Sequence, residues 1–269
     1  MARSPKAAPG ARTQRASFPC RSARISAPGS RRRGSTLADG PRPDGGADNP
    51  GGGDLKRAAA RAPGTRAVKP RHAASLVVWR QGSGEPEILM GMRHAKHKFM
   101  PSVLVFPGGR VDRADHGVKV ASELRAETEA MLRHRAPPSL ARALGVAAVR
   151  ELFEETGLIL GERKGTRLLA DLSALDYLCR AVTPSSRAMR FNARFLLAPA
   201  ERLAGEIGGS GELEKLDWYP LSKARSSELA AITYKILAEF AEWVAMPPNA
   251  RATRPMICFR GMDNRTIDA

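Results

Sequence analysis

The run Arg150-Glu151-Leu152-Phe153-Glu154-Glu155-Thr156-Gly157-Leu158 gathers three carboxylates within five residues. On a helix, at about 100° per residue, Glu151, Glu154 and Glu155 fall within an arc of roughly 100°. Val149, Leu152 and Phe153 lie on the opposite side. One face is therefore core and the other a cluster that repels itself. Hard divalent cations such as Mg²⁺ or Mn²⁺, which prefer oxygen ligands, are its natural neutralisers. The competing reading is a solvated acidic face in which Arg150 and Glu154 form an i,i+4 pair worth about 0.2 to 0.5 kcal/mol. Upstream, Phe106-Pro107-Gly108-Gly109 offers carbonyls as neutral oxygen ligands and amides that approach phosphate.

These groups need a frame to hold them. The apolar run Ala74-Ser75-Leu76-Val77-Val78-Trp79 and the shorter Ile88-Leu89-Met90, parted by Gly82-Ser83-Gly84, predict an opening pair of strands. Val103-Leu104-Val105-Phe106 predicts a third strand that stops at Pro107 in a glycine loop. A helix is expected over residues 118–135, ended by Ala136-Pro137-Pro138. Ser139 is the expected N-cap of a second helix, which runs to Thr156 with Gly157 at the left-handed C′ position. Strands are expected over 175–181 and 189–197, flanking Thr183-Pro184-Ser185-Ser186, with a shorter one over 216–219. Residues 205–211 read as a loop, and 227–243 return to helical spacing. The sum is an α/β domain: a mixed sheet with helices on its faces.

The acidic helix and the glycine loop together resemble the signature of the Nudix hydrolase family, G-x5-E-x7-R-E-U-x-E-E-x-G-U, where U is bulky and apolar. Arg150-Glu151, Leu152, Glu154-Glu155 and Gly157-Leu158 match the second half at every defined position. The first half departs. Arg150 lies 41 positions after Gly109 where the pattern has 14, so the box, residues 109–158, carries an insertion of 27 residues. Counting back from Arg150 puts Arg142 at the upstream glutamate, whereas counting forward from Gly109 puts Asp115 there, leaving Asp112 or Asp115 as substitutes. Arg93, Phe99-Met100-Pro101, Val105 to Gly109, Val111-Asp112 and Asp115 before a helical insert resemble the branch that contains peroxisomal coenzyme A diphosphatases.

The resemblance implies an α/β/α sandwich over residues 71–269 and a pyrophosphatase that cleaves a nucleoside diphosphate linked to another moiety, with Mg²⁺ or Mn²⁺ as cofactor. The implied metal ligands are Glu151, Glu154, Glu155 and the Gly109 carbonyl. Glu151 doubles as general base, Arg150 orients a glutamate, and Arg93 is a substrate-binding residue. The implied partner is a small nucleotide substrate, coenzyme A or acyl-coenzyme A first. NADH, ADP-ribose and dinucleoside polyphosphates are the alternatives. The His94/His97 string reads as surface histidines rather than zinc ligands, Lys96 and Lys98 as exposed, and Met90, Met92 and Met100 as core. Trp218-Tyr219 is expected to pack the sheet.

The formal charge of the 269-residue chain is +17, but residues 1–70 hold 12 Arg and 3 Lys against 4 Asp. The remainder is only mildly basic. With 9 Pro, 10 Gly and Phe18 as its only aromatic, that first segment buries too little apolar surface to order itself, and a disordered tail is expected. A nucleic-acid-binding role for this arm is the alternative reading, not the favoured one. Cys20, Cys179 and Cys258 are scattered, which fits a reduced compartment. Arg31-Arg32-Arg33 is followed by no apolar run, and the chain ends Ile267-Asp268-Ala269, so neither export nor a peroxisomal S-K-L address is expected. The expected location is cytoplasmic, with organellar targeting by the tail as the alternative. No membrane partner is expected, and no signal for an oligomeric state is present.

Overall fold

The computed structural model describes residues 60–62, 64–94, 102–208, 211–261 and 264–268. Of the tail expected over 1–70, residues 1–59 and 63 lie outside the described residues, as do Lys96, His97, Lys98 and Phe99-Met100-Pro101. In chain order the elements are strands β1 (Arg71–Gln81), β2 (Pro86–Arg93), β3 (Leu104–Val105) and β4 (Gly108–Arg110), then helices α1 (Ala126–Arg133) and α2 (Pro138–Thr156). Strands β5 (Ile159–Lys164), β6 (Arg167–Ala170), β7 (Asp176–Val182), β8 (Phe191–Pro199), β9 (Leu203–Ala204) and β10 (Leu213–Pro220) follow. Helices α3 (Leu221–Ser226), α4 (Ala231–Ala245) and α5 (Pro248–Arg251) precede β11 (Ile257–Arg260) and β12 (Asn264–Ile267).

The large sheet runs β10-β2-β1-β8-β7-β11-β12, with β3 on β2 and β4 on β1. It is mixed: β1 runs parallel to β8 and β7 to β11, and the other pairs are antiparallel. A small sheet, β6-β5-β9, stands apart. β1 is covered on both sides, which explains an unbroken apolar run where a half-exposed strand would alternate. Ala74, Leu76 and Val78 pack with Leu144, Ala148 and Leu152 of α2. Val77 packs on the other face with Ile236, Leu237 and Phe240 of α4. Helices thus cover both faces, as expected for the α/β/α sandwich.

β1 changes partner along one edge. Trp79 to Gln81 pair with β2, whereas Ala73 to Ser75 pair with β4, so the sheet forks at this edge. β4 corrects the expected glycine loop: Gly108 and Gly109 are themselves strand residues. A Cβ on Gly108 would come within 2.6 Å of the Ala74 carbonyl oxygen, so only glycine lets this strand lie so close to β1.

Three helix expectations also change. α1 begins at Ala126 rather than residue 118, because the Ala121 N–H donates to Ala170 O and the Ser122 carbonyl accepts from Leu172 N–H. Those backbone groups are therefore committed to β6 and the turn after it, and cannot enter a helix. α2 begins at Pro138, not after a Ser139 cap, since proline's fixed φ suits the first helical position. The helix expected over 227–243 is α4, which starts later, at Ala231, and continues to Ala245. The β5–β6 and β11–β12 hairpins are short and carry charge, and periodicity did not reveal them. Gly157 does close α2 in the left-handed region, with φ 76°.

Candidate active site

α2 packs its apolar stripe on the sheet and turns its acidic side toward the fork. Glu155 is buried, at 6% exposure, and its carboxylate accepts the Gly108 N–H at 2.9 Å. Glu151 presses on Gly109, where a Cβ would come within 2.7 Å of even the farther carboxylate oxygen. Glu154 remains exposed beside them. A merely solvated acidic face therefore does not describe this helix, although the Arg150–Glu154 ion pair that reading predicts is present at 3.0 Å.

Arg150 is the hub. Its Nε donates to Asp115 Oδ1 at 2.9 Å, Nη1 to Glu151 and Glu154 at 2.9 and 3.0 Å, and Nη2 to the Arg110 carbonyl and Asp115 Oδ2 at 3.0 and 3.2 Å. All five guanidinium donors are engaged within the protein, so this side chain positions carboxylates rather than reaching a ligand. Asp115, 1% exposed, also accepts the Asp112 N–H at 2.7 Å. Asp112 stands 3.9 Å from Arg150 on the surface. Of the two candidates for the upstream acid, Asp115 is the one buried against the box arginine. Arg142 instead pairs with Glu123 at 2.9 Å, away from the cluster. Breaking a buried pair by removing one partner costs about 3 to 5 kcal/mol. Asp115→Ala is expected to lower unfolding free energy by about 3 kcal/mol in urea titrations, and an unchanged midpoint would exclude the pairing as a support of the fold.

The electrostatics follow from burial. Burial pushes Glu155 up to about 7, against the Gly108 hydrogen bond and with help from the neighbouring Glu151 charge. Burial also raises Glu151, against the pull of Arg150. Arg93 has its pKa lowered by burial, which the charges of Glu155, Glu212 and Glu151 oppose. Two adjacent carboxylates whose charged forms are disfavoured make a deficit that a hard cation relieves, so the donor set suits Mg²⁺ or Mn²⁺. As the side chains stand, no three His, Cys, Asp or Glu among the described residues are gathered as a metal cage. Arg150 occupies Glu151 and Glu154, and Gly108 holds Glu155.

These groups line a cavity of about 1000 Å³ that also takes in Arg93, Gly109 and Arg110. Sequence reasoning missed Glu212, whose charge acts on Glu151, Glu155 and Arg93 from the loop before β10. Its one signal was an acid after Gly211, which has φ 84°. His94 pairs with Glu214 at 3.3 Å. Met90 is fully buried, and Trp218 packs against the core with the Arg80 guanidinium 4.3 Å from its ring centroid. No helix among the described residues is long and apolar enough to cross a membrane.

The NUDIX domain family matches residues 69–240, more than half of the chain. Putative nudix hydrolase 7 of Caenorhabditis elegans is 36% identical over 89 residues, which are 33% of this chain and 22% of that protein. The chain thus spans about a fifth of that relative's length. The crystal structure of a NUDIX hydrolase from Alicyclobacillus acidocaldarius superposes with a TM-score of 0.52 at 23% identity, covering 73% of this chain and 99% of that one. That is a likeness of fold.

Proposed function

We propose that this chain, which belongs to the NUDIX family, is a divalent-cation-dependent hydrolase that splits the pyrophosphate of a nucleoside diphosphate linked to a second moiety, with coenzyme A or an acyl-coenzyme A as substrate. The observation that carries the reaction class is the meeting of Glu151 and Glu155 with Gly108 and Gly109 at the wall of the cavity. The coenzyme A assignment draws on Arg93, the Val105 to Gly109 run, Asp112 and Asp115, followed by an insertion that contains α1.

Glu151, Glu154, Glu155 and the Gly109 carbonyl are the groups that would hold Mg²⁺ or Mn²⁺. When bound, the cation neutralises phosphoryl charge and lowers the pKa of a water. The chain's own residues supply the rest. Arg150, fixed by Asp115, keeps Glu151 and Glu154 from splaying apart under their own repulsion. Glu151, with its proton affinity raised by burial, serves as ligand or as acceptor of the water proton. Arg93, on the same wall, faces the outer oxygens of the pyrophosphate.

The test is product analysis with Mg²⁺ or Mn²⁺ over coenzyme A, acyl-coenzyme A, NADH, ADP-ribose and a dinucleoside polyphosphate. Release of adenosine 3′,5′-bisphosphate and phosphopantetheine from coenzyme A is the expected result. Cleavage of another member but not coenzyme A would keep the reaction and replace the substrate. Failure to cleave any member would overturn the reading.

A further inference from the structure

One wall of the cavity comes from a loop. Thr183, Met189 and Phe191, all cavity-lining, belong to the connection between β7 and β8. Its base is closed by a reciprocal pair: the Thr183 N–H donates to the Phe191 carbonyl at 2.9 Å, and the Phe191 N–H to Thr183 Oγ1 at 3.0 Å. Beyond that base the Arg187 N–H donates to the Pro184 carbonyl at 3.2 Å. Met189 keeps 41% of its surface exposed, so packing of its own side chain does little to fix it.

The loop is tied to a segment far upstream. The Arg61 N–H donates to the Ser186 carbonyl at 2.6 Å and its Nε to the Ser185 carbonyl at 3.2 Å, while Ala60 forms an antiparallel bridge with Arg187. Arg190 closes the other side. Its Nε donates to the Thr183 carbonyl at 3.1 Å, its Nη1 to the Val68 carbonyl at 2.7 Å, and its own carbonyl accepts the Arg71 N–H at 2.9 Å. One side chain thus spans the base of the loop and the upstream segment, and it sits between cavity-lining Met189 and Phe191. That segment also shapes itself. Gly64 takes φ 77°, the Thr65 hydroxyl donates to the Ala62 carbonyl at 2.8 Å, and Arg61 Nη1 donates to Thr65 Oγ1 at 3.3 Å. A chain already bent in this way loses less conformational freedom when it docks.

By composition residues 60–70 belong to the tail, and the family match begins only at residue 69. We propose that residues 60–70 are instead a strap of the hydrolase site, pinned by Arg190, which holds the β7–β8 loop in the conformation that receives substrate. Arg190 is a positioning residue, because it acts through the Thr183 and Val68 carbonyls. The inference rests on the hydrolase reading above. A loop released from its strap occupies the receptive conformation for only a fraction of the time, and apparent affinity falls by that fraction. The carboxylates of α2 are held separately, by Arg150 and Asp115, so substrate that does bind reacts at an unchanged rate.

The test uses the full chain with Mg²⁺ and coenzyme A, or ADP-ribose where coenzyme A is not cleaved. R190M keeps the apolar stem and removes both donors. It should raise KM about fivefold or more while kcat stays within about twofold of the wild type. R61P deletes the Arg61 N–H donor and its guanidinium at a residue that does not line the cavity, and it should shift KM in the same way. Lysine keeps the charge but cannot reach both carbonyls, so R190K should recover only part of the affinity. Combined, R61P and R190M should raise KM by less than the product of the single effects, since both release one element. Hydrogen exchange supplies a readout without turnover: residues 60–71 should be protected in the wild type and exchange about tenfold faster in R190M. Wild-type KM in both single variants, a loss of kcat at constant KM, or a wild-type strap that exchanges like an unstructured peptide would overturn the proposal. Full recovery in R190K together with wild-type KM in R61P would make Arg190 an attractor of anionic substrate and equally overturn the strap. If neither conjugate is cleaved, the hydrolase reading loses its substrates and the exchange measurement alone decides the strap.

Discussion

Glu155→Gln is expected to lower kcat/KM with Mg²⁺ by roughly 10²- to 10³-fold, the range seen when one preorganised electrostatic contact at a reacting centre is lost. The variant is close in shape, and its amide oxygen still accepts the Gly108 N–H, so the fold should persist while the charge disappears. A second, independent signature comes from pH. Burial pushes the Glu155 carboxyl up to about 7, above its ordinary 4.5. An acid whose folded pKa is raised binds its proton more tightly in the native state. Its stabilising contribution is therefore complete below pH 4.5 and lost as pH rises through 7. In chelator, the wild-type protein should lose on the order of 3 kcal/mol of stability between pH 4.5 and 8 from this group, read by urea unfolding. Glu155→Gln should flatten that part of the profile. Saturating Mg²⁺ should offset it, because a cation favours the charged carboxylate. A wild-type profile already flat in chelator would contradict the buried, protonatable state.

What was legible in the sequence divides along a physical line. α2 and its end at Gly157 were readable because helix periodicity, proline and a left-handed glycine act within a few residues. Its acidic stripe was readable for the same reason. The fork was not. That Gly108 and Gly109 make a strand depends on β1 accepting them and on Glu151 and Glu155 leaving no room for a side chain, contacts that span more than thirty positions of the chain. α1 was overextended because Ala121 and Ser122 find backbone partners in residues 170–172, which local propensity cannot anticipate. Arg142 and Asp115 were rival places for the upstream acid by counting alone. The ion pair to Arg150 separates them, since only one of the two positions lies within reach of it. Glu212 was invisible for the same reason: its charge acts on Glu151, Glu155 and Arg93 from a distant segment of the chain.

Gly109→Ala is the sharpest test of that long-range geometry. A Cβ there would come within 2.7 Å of even the farther Glu151 oxygen, so either the carboxylate or β4 must move. Neither is free to do so. Glu151 is held at 2.9 Å by Arg150, which is itself locked by Asp115, and β4 is hydrogen-bonded to β1 through Ala73 to Ser75. Overpacking of this kind costs about 1 to 3 kcal/mol. Displacing a catalytic carboxylate by an ångström costs about 100-fold in rate. Gly109→Ala should therefore lose about 100-fold in kcat/KM with only a modest drop in stability. Gly84→Ala, where a Cβ meets nothing within 4 Å, should be silent in both. Adding Glu151→Asp to Gly109→Ala shortens the obstructing side chain by one methylene. The double variant should then regain stability but not activity, because the carboxylate that vacates the space no longer reaches the site. Recovery of activity in the double variant, or wild-type kcat/KM in Gly109→Ala, would mean that the contact between this glycine and Glu151 is incidental to catalysis.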